Sequence, residues 1–210
     1  MSIKHPIISV TGSSGAGTST VKHTFQQIFR RESVEAATLE GDAFHRYSRK
    51  EMNDELEKRT AAGDATFSHF SFDANLLSEL EECFRNYSKK GKCRFRHYVH
   101  NSEEEQLHGV KPGNFTKWKE FDGKSDLLFY EGLHGAVVNN NVNIARYADL
   151  KIGIVPVINL EWIQKIHRDK HSRGYSTEAV TDTILRRMHA YVHCICPQFT
   201  ETDINFQRVP

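Results

Sequence analysis

Gly12-Ser13-Ser14-Gly15-Ala16-Gly17-Thr18-Ser19 puts small residues where a chain can turn tightly enough to aim successive backbone N–H groups at one anion. Before it, Pro6 to Val10 is a short β-branched run. After it, Gly17 to Arg31 carries Val21, Phe25, Ile28 and Phe29 on one helical face. Strand, glycine-rich turn and helix N-terminus in that order are the context a P-loop requires, and the helix dipole adds positive potential under a phosphate. A turn of small residues that merely caps a helix is the plainer alternative, but the agreement of all three parts favours the phosphate. Ser19 stands where a hydroxyl ligand of Mg2+ belongs, and Thr20 completes the candidate nucleotide-binding run. Thr18 occupies the place of the usual lysine. Phosphoryl transfer is mostly positioning and charge neutralisation, so another cation must serve. The stretch Lys165-Ile166-His167-Arg168-Asp169-Lys170-His171-Ser172-Arg173 is the source to examine.

Other groups could work beside a phosphate. Asp42 follows a strand end, across the expected cleft from the loop, although an Asp before a turn is ordinarily an N-cap. Glu131 ends the apolar run Leu127 to Tyr130, the position from which a carboxylate holds Mg2+ directly or through water. Lys165, Arg168 and Asp169 share a helix face; they make either an ordinary i,i+4 bridge in solvent or the missing charge compensation. His45 and Arg49 follow Asp42 closely and could be a solvated basic turn or an anion site. His167/His171 and His189/His193 have i,i+4 spacing, with Cys194 and Cys196 following. That cysteine pair lacks the two-residue gap of zinc knuckles and has no second pair, so structural zinc is not expected.

These groups need a frame. The chain has 210 residues, 38% hydrophobic and 26% charged, with a net charge of +1 and four cysteines. That length suffices for a core without disulfides or metals. Near-zero charge gives no overall drive toward nucleic acid, and no apolar run is long enough to cross a membrane. Met1 to Pro6 is too polar and short for a secretory signal, and a cytoplasmic location is expected. Beyond the elements above, the patterning predicts strands over 36–39, 94–99, 127–130, 150–157 and 203–209. It predicts helices over 49–62, 73–87, 159–172 and 176–193. The helix over 73–87 aligns Leu76, Leu77, Leu80 and Phe84. Buried strands alternating with helices predict one α/β domain with a largely parallel sheet covered on both faces, and ligands beyond the carboxyl ends of the strands. Gly12, Gly41-Asp42 and Glu131-Gly132 then fall on one sheet edge.

Several segments together resemble the bacterial (class I) phosphoribulokinases. They are Ser9-Val10-Thr11-Gly12-Ser13-Ser14-Gly15-Ala16-Gly17-Thr18, Glu40-Gly41-Asp42-Ala43-Phe44-His45-Arg46, Phe129-Tyr130-Glu131-Gly132-Leu133-His134-Gly135, Val157 to Lys165 and Asn205 to Pro210. A threonine in place of the loop lysine is normal in that family. The resemblance implies a P-loop NTPase-like three-layer α/β/α fold and transfer of phosphate from ATP to the C1 hydroxyl of D-ribulose 5-phosphate, giving ribulose 1,5-bisphosphate and ADP in the reductive pentose phosphate cycle. It makes Asp42 the general base, Lys165 the stabiliser of the transferring group, Arg168 a ligand of phosphoryl or sugar phosphate, and Asp169 a second catalytic carboxylate near Mg2+. It places His45 and Arg49, with Tyr98, His100 and Arg173, at the sugar phosphate. It ties Arg31 and Arg187, with the neighbouring Arg186, to activation by NADH and inhibition by AMP in a homo-oligomer. Because Ala16 stands in the loop and Cys83 and Cys93 lie far from it, no thiol switch through the loop is expected. Family chains run past Pro210, so the resemblance also implies further sheet beyond this chain. The competing expectations are another small-molecule kinase of uridine or pantothenate type, and a nucleotide-binding regulatory protein without catalysis. The segment Glu40 to Arg49 and the retained Asp42, Glu131, Lys165 and Asp169 argue against them.

Overall fold

Five segments pair side by side in a computed structural model of the chain, which describes residues 4–209 and all their side chains except those of Ser172, Arg173 and Arg208. They are β1 (Ile7–Thr11), β2 (Ala36–Glu40), β5 (Leu127–Gly132), β6 (Leu150–Pro156) and β7 (Ile204–Arg208). The order is β2-β5-β1-β6-β7 and every pairing is parallel. Parallel pairing needs a crossover between strands, and here the crossovers include α1 (Thr18–Arg31), α2 (Arg49–Ala61), α3 (Leu77–Lys90), α4 (Ser102–His108), α5 (Ile158–Arg173) and α6 (Thr177–Ala190). A separate short hairpin joins β3 (Arg94–Phe95) to β4 (Lys119–Glu120).

Alternation along the strands divides the core in two. Leu128 and Tyr130 face a cluster with Ile7, Leu39 and the α3 residues Leu80, Phe84 and Tyr87. Phe129, between them in sequence, faces the other way with Val10, Ile152 and Ile154, against Phe25 and Phe29 of α1. A period of two with both faces apolar covers the middle of the sheet on both sides, as a three-layer fold requires, while Ile204 and Phe206 of β7 are exposed at its edge. Ile28 does not join this packing and is exposed.

Three elements depart from the sequence reading. The strand expected over 94–99 shrinks to two residues, because Arg96 turns its guanidinium inward to backbone carbonyls and Val99 pairs with Asn114 outside any ladder. The helix expected from Asp73 begins at Leu77; Phe72–Ala74 is a 3-10 turn and Asn75 is extended, bridged to His45. Leu76 thus caps the helix rather than lying within it, while Leu77, Leu80 and Phe84 are buried as expected. The last helix ends at Ala190 and continues as a π turn over Tyr191–Ile195.

Two buried features hold the site edge of the sheet. Gln198 accepts from Thr11 Oγ1 (3.2 Å) and Ala136 N (3.1 Å) and donates to the carbonyls of Leu133 (2.8 Å) and Cys194 (2.9 Å). One amide thereby joins the end of β1, the turn after β5 and the π turn. The Tyr130 ring runs between three glycines: a Cβ on Gly41 or Gly132 would lie 2.6 Å from its hydroxyl, and one on Gly135 2.7 Å from the ring edge. Unpaired buried polar groups cost about 1–3 kcal/mol each. Gln198→Leu should therefore destabilise the chain by at least about 2 kcal/mol in urea denaturation, well beyond a typical surface substitution.

Candidate active site

The register fixes where the chemistry meets. Thr11 of β1 is level with Gly132 and Gly153, and Glu40 of β2 is level with Glu131. The phosphate loop, the Asp42 turn and Glu131 therefore share one edge, as the sequence implies. In the loop, Gly15 and Gly17 have φ of 106° and 100°, conformations that a Cβ would strain. Gly17 is the N-cap of α1, and no side chain caps that end, so its backbone donors stay available to an anion. Ser13 and Ala16 are buried and support the loop from below, while Ser14 and Gly15 are partly open, and Ser19 and Thr20 are exposed.

Thr18 does not replace the charge of a lysine. Its hydroxyl bonds to the Glu131 carboxylate, opposing the upward pull of burial on that group. Burial, aided by the negative Asp42 and Glu40 nearby, still leaves the Glu131 carboxyl above the usual range, while Lys22 acts against the shift. Lys22 lies one turn beyond Thr18 on α1 and pairs with Glu40 at 2.6 Å. Sequence reading missed it, although its i,i+4 relation to Thr18 was the available signal.

Cations reach the loop from α5. A Cβ on Gly15 would lie 3.2 Å from Lys165 Cβ and from the Glu161 carbonyl, so the helix rests on the loop. Lys165 Nζ donates to Asp169 Oδ2 at 2.6 Å, and both side chains are 6% exposed. This is an i,i+4 pair, but not the solvated one that the bland reading expects. Arg168 donates to Asp169 Oδ1 (2.9 Å) and to Ser14 Oγ (3.2 Å), which puts a guanidinium beside the loop. Burial pulls Lys165 down to about 8, helped by Arg187 and Arg168 and opposed by Asp169. Ser14, Glu161, Lys165 and Arg187 line one cleft with Phe70 and Tyr191.

The acidic turn is held from several sides. Gly41–Phe44 forms a 3-10 turn. Arg96 donates to the carbonyls of Ala43 (2.8 Å) and His45 (2.7 Å), and its guanidinium lies 3.6 Å from the centre of the Phe115 ring. Sequence reading gave Arg96 no role. The Asp42 carboxylate meets His45 Nε2 at 3.1 Å and His100 Nε2 at 3.3 Å, one ring on each oxygen. The ring of Tyr98 packs edge-on against both His45 and His100. Arg49 donates to the His100 carbonyl at 3.1 Å. Asp42, His45, Arg49, Tyr98 and His100 thus gather as expected. The side chain of Arg173 lies outside the described residues.

The three arginines tied to regulation do not gather. Arg31 ends α1, about 20 Å of helix from the loop, and pairs with Glu32 in solvent. Arg186 is exposed on α6. Arg187 instead lines the cleft, near His69 Nδ1 at 3.4 Å.

Among the described residues no cluster of three or more His, Cys, Asp or Glu could hold a metal ion by itself. Mg2+ would need only one or two carboxylates, together with substrate phosphates and water. Glu131, half-buried at the strand end with Thr18 on it, fits such a ligand. Asp169 fits less directly, since its oxygens already accept from Lys165 and Arg168. The four cysteines are free: Cys83 and Cys93 are buried in the core beside one another, and neither Cys194 nor Cys196 has a metal-binding partner set.

The model of the phosphoribulokinase / uridine kinase family matches residues 7–210. Phosphoribulokinase 1 of Cereibacter sphaeroides is 73% identical over the whole chain, which spans 72% of that protein. The phosphoribulokinase of Nitrobacter vulgaris is 67% identical over 207 residues, 99% of this chain and 71% of its own. Among solved structures, the phosphoribulokinase from Rhodobacter spheroides superposes with a TM-score of 0.86 at 70% identity, over 99% of this chain and 71% of that one.

The Asp42–His45 contact has a pH signature. Burial alone would raise Asp42 and lower His45; His45, with His100 and His69, holds Asp42 below the usual carboxylate range, and Asp42, with Asn75, raises His45. The Asp42 side chain is 38% exposed, so solvent weakens this attraction on one side. The Asp42 contribution is full above its unfolded pKa of about 3.9 and fades as pH falls toward the depressed folded value. The His45 contribution is full below about 6.5 and is lost as pH rises through the raised folded value. His45→Gln should therefore lose most stability relative to the parent between about pH 4 and 6.5, with the gap narrowing on both sides in denaturation series.

Proposed function

The chain belongs to the phosphoribulokinase / uridine kinase family, and on that premise we propose that it transfers the γ-phosphoryl group of ATP to the C1 hydroxyl of D-ribulose 5-phosphate, releasing ribulose 1,5-bisphosphate and ADP. What supports this reading most is the pairing of two charge-matched halves. A carboxylate capped by two imidazoles lies beside Glu131, on the sheet edge that also carries a phosphate loop covered by Lys165 and Arg168.

Residues 12–20 hold the triphosphate of ATP, with backbone donors at the start of α1 facing it. Asp42 accepts the hydroxyl proton as the O–P bond forms. A carboxylate kept anionic is a weak base, which suffices because that proton becomes acidic only late in the transfer. Lys165 neutralises charge growing on the transferring group, and Arg168 does so from the Ser14 side of the loop. His45, Arg49, Tyr98, His100 and Arg173 bind and orient the sugar phosphate, with Arg49 able to offer a bidentate fork. Ser19 and Glu131 would hold Mg2+, joined by Asp169 if that group leaves its cations, and the ion would supply charge to offset that of the phosphates.

Regulation by NADH and AMP belongs to the same reading. Arg31 and Arg186 are exposed and open to an anionic effector, whereas Arg187 faces the cleft and would carry the effect to Lys165. The active species is a cytoplasmic homo-oligomer, and its acceptor is a small molecule rather than nucleic acid or membrane. The 210 residues form one kinase domain.

Coupled measurement of ADP release with ribulose 5-phosphate, uridine and pantothenate tests the proposal; release only with uridine or pantothenate, or none at all, overturns it. Asp42→Asn should keep ATP affinity and lose about 10^2–10^4-fold in kcat. Near-normal turnover would remove Asp42 from its role. Because Lys165 must be protonated and sits at about 8, kcat should fall as pH rises through about 8, and Lys165→Met should abolish that limb together with most of the rate.

A further inference from the structure

Asn75 is 3% exposed and lies directly behind His45, on the side away from Asp42. Its amide cannot be turned round. The nitrogen donates to the carbonyls of His69 (2.9 Å) and Ser71 (2.8 Å), and it also lies 3.1 Å from His134 Nε2. An oxygen in that place would face two carbonyl oxygens. The amide oxygen must therefore face His45 Nδ1, 2.8 Å away. A carbonyl oxygen only accepts, so His45 Nδ1 carries a proton. The other ring nitrogen, Nε2, lies 3.1 Å from a carboxylate oxygen of Asp42 and needs a proton of its own to make that contact favourable. With both nitrogens protonated the ring is a cation.

We propose that Asn75 is a positioning residue that fixes the proton on His45 Nδ1 and so obliges His45 to face Asp42 and the substrate phosphate as an imidazolium rather than as a neutral ring. The proposal rests on the reading of Asp42 and His45 as groups on the acceptor side. Without Asn75 the ring could turn to the neutral tautomer with Nε2–H toward Asp42 and a bare Nδ1, which keeps the contact but loses the charge. Asp42 favours the charge on His45 most and Asn75 adds to it, while the other neighbours do not replace Asn75. His69, 5.6 Å away, is held well below the ordinary histidine range by burial and then by Arg187. His134, behind Asn75, is pushed by burial to about 3 and is neutral. Arg187 opposes protonation of His45, the Tyr98 ring stands nearly perpendicular to the His45 ring, Arg96 bonds the His45 carbonyl rather than the ring, and His100 occupies the other oxygen of Asp42.

The test reads the ring itself in the full chain labelled with 15N-histidine, the His45 signals being those lost in His45→Gln. In the parent near neutral pH both ring nitrogens should show the shifts of protonated sites. Asn75→Ala should lower the His45 titration midpoint by about one pH unit and populate the neutral tautomers. It should raise the KM for ribulose 5-phosphate about tenfold with kcat little changed, and add nothing further in a His45→Gln background. A parent ring that is neutral with Nε2–H and a bare Nδ1 overturns the proposal, as does an unchanged titration in folded Asn75→Ala, or full additivity with His45→Gln. If Asn75→Ala does not fold, the parent spectrum decides: two protonated ring nitrogens support the proposal and a bare Nδ1 overturns it. Ring signals as expected without turnover on ribulose 5-phosphate would sink the assigned substrate and leave the role of Asn75 standing.

Discussion

A phosphate loop without its lysine has to borrow charge, and the loan comes from a helix that is remote in sequence. Lys165 and Arg168 can reach the loop only while α5 lies against Gly15, where a side chain would collide with Lys165 and the Glu161 backbone. The loop glycine is thus a docking surface as well as a turn. Burying an ammonium at that contact is unfavourable unless it is paired, and Asp169 supplies the partner from the next helical turn. Because Arg168 grips the same carboxylate, the two cations and one anion keep a net positive charge beside the loop. Helix position, loop conformation and phosphate affinity become one variable.

The acceptor side solves the opposite problem, since it has to keep carboxylates ionised close together. Asp42, Glu131 and Glu40 lie near one another at the ends of β2 and β5. Each has its own device: two imidazoles on Asp42, the Thr18 hydroxyl on Glu131, and Lys22 on Glu40. The threonine that breaks the usual loop pattern has a positive task here, because it reaches the strand-end carboxylate that a lysine would have faced with full charge. Behind this layer, Arg96 and Asn75 hold the backbone and ring of the turn that carries Asp42.

Much of this was legible in the residues. The alternating apolar strands, the glycine spacing and the strand-end carboxylates fix the sheet, its two covered faces and the edge where the site lies, because period and turn chemistry are local properties. What the pattern misjudged lies where a distant contact overrides a local preference. The run 73–87 reads as one amphipathic helix, yet its first turns are given up so that Asn75 can extend toward His45. The stretch 94–99 reads as a strand, yet Arg96 turns inward to hold the Asp42 turn. Arg187 looks like half of a basic pair on a helix surface but points into the cleft, since the packing of α6 on α5 has no signature in a short window. Lys22 was passed over because one lysine on an amphipathic helix looks like any other until β2 brings Glu40 beside it.

The fit of Tyr130 between Gly41, Gly132 and Gly135 restricts the routes by which this sequence can drift. Adding a methyl group at Gly135 meets the ring and, closer still, the Ser9 hydroxyl, so the hydroxyl would have to go and the ring would have to shrink first. Shrinking it opens a void in a packed core and is harmful by itself, so the tolerated order of changes passes through a weakened intermediate. At Gly41 and Gly132 even that order fails, because each also blocks the other's Cβ through its own backbone, at 2.8 and 2.6 Å. Those two positions are locked against each other, and a lineage carrying this fold can explore new acceptors only by changing the residues around that lock.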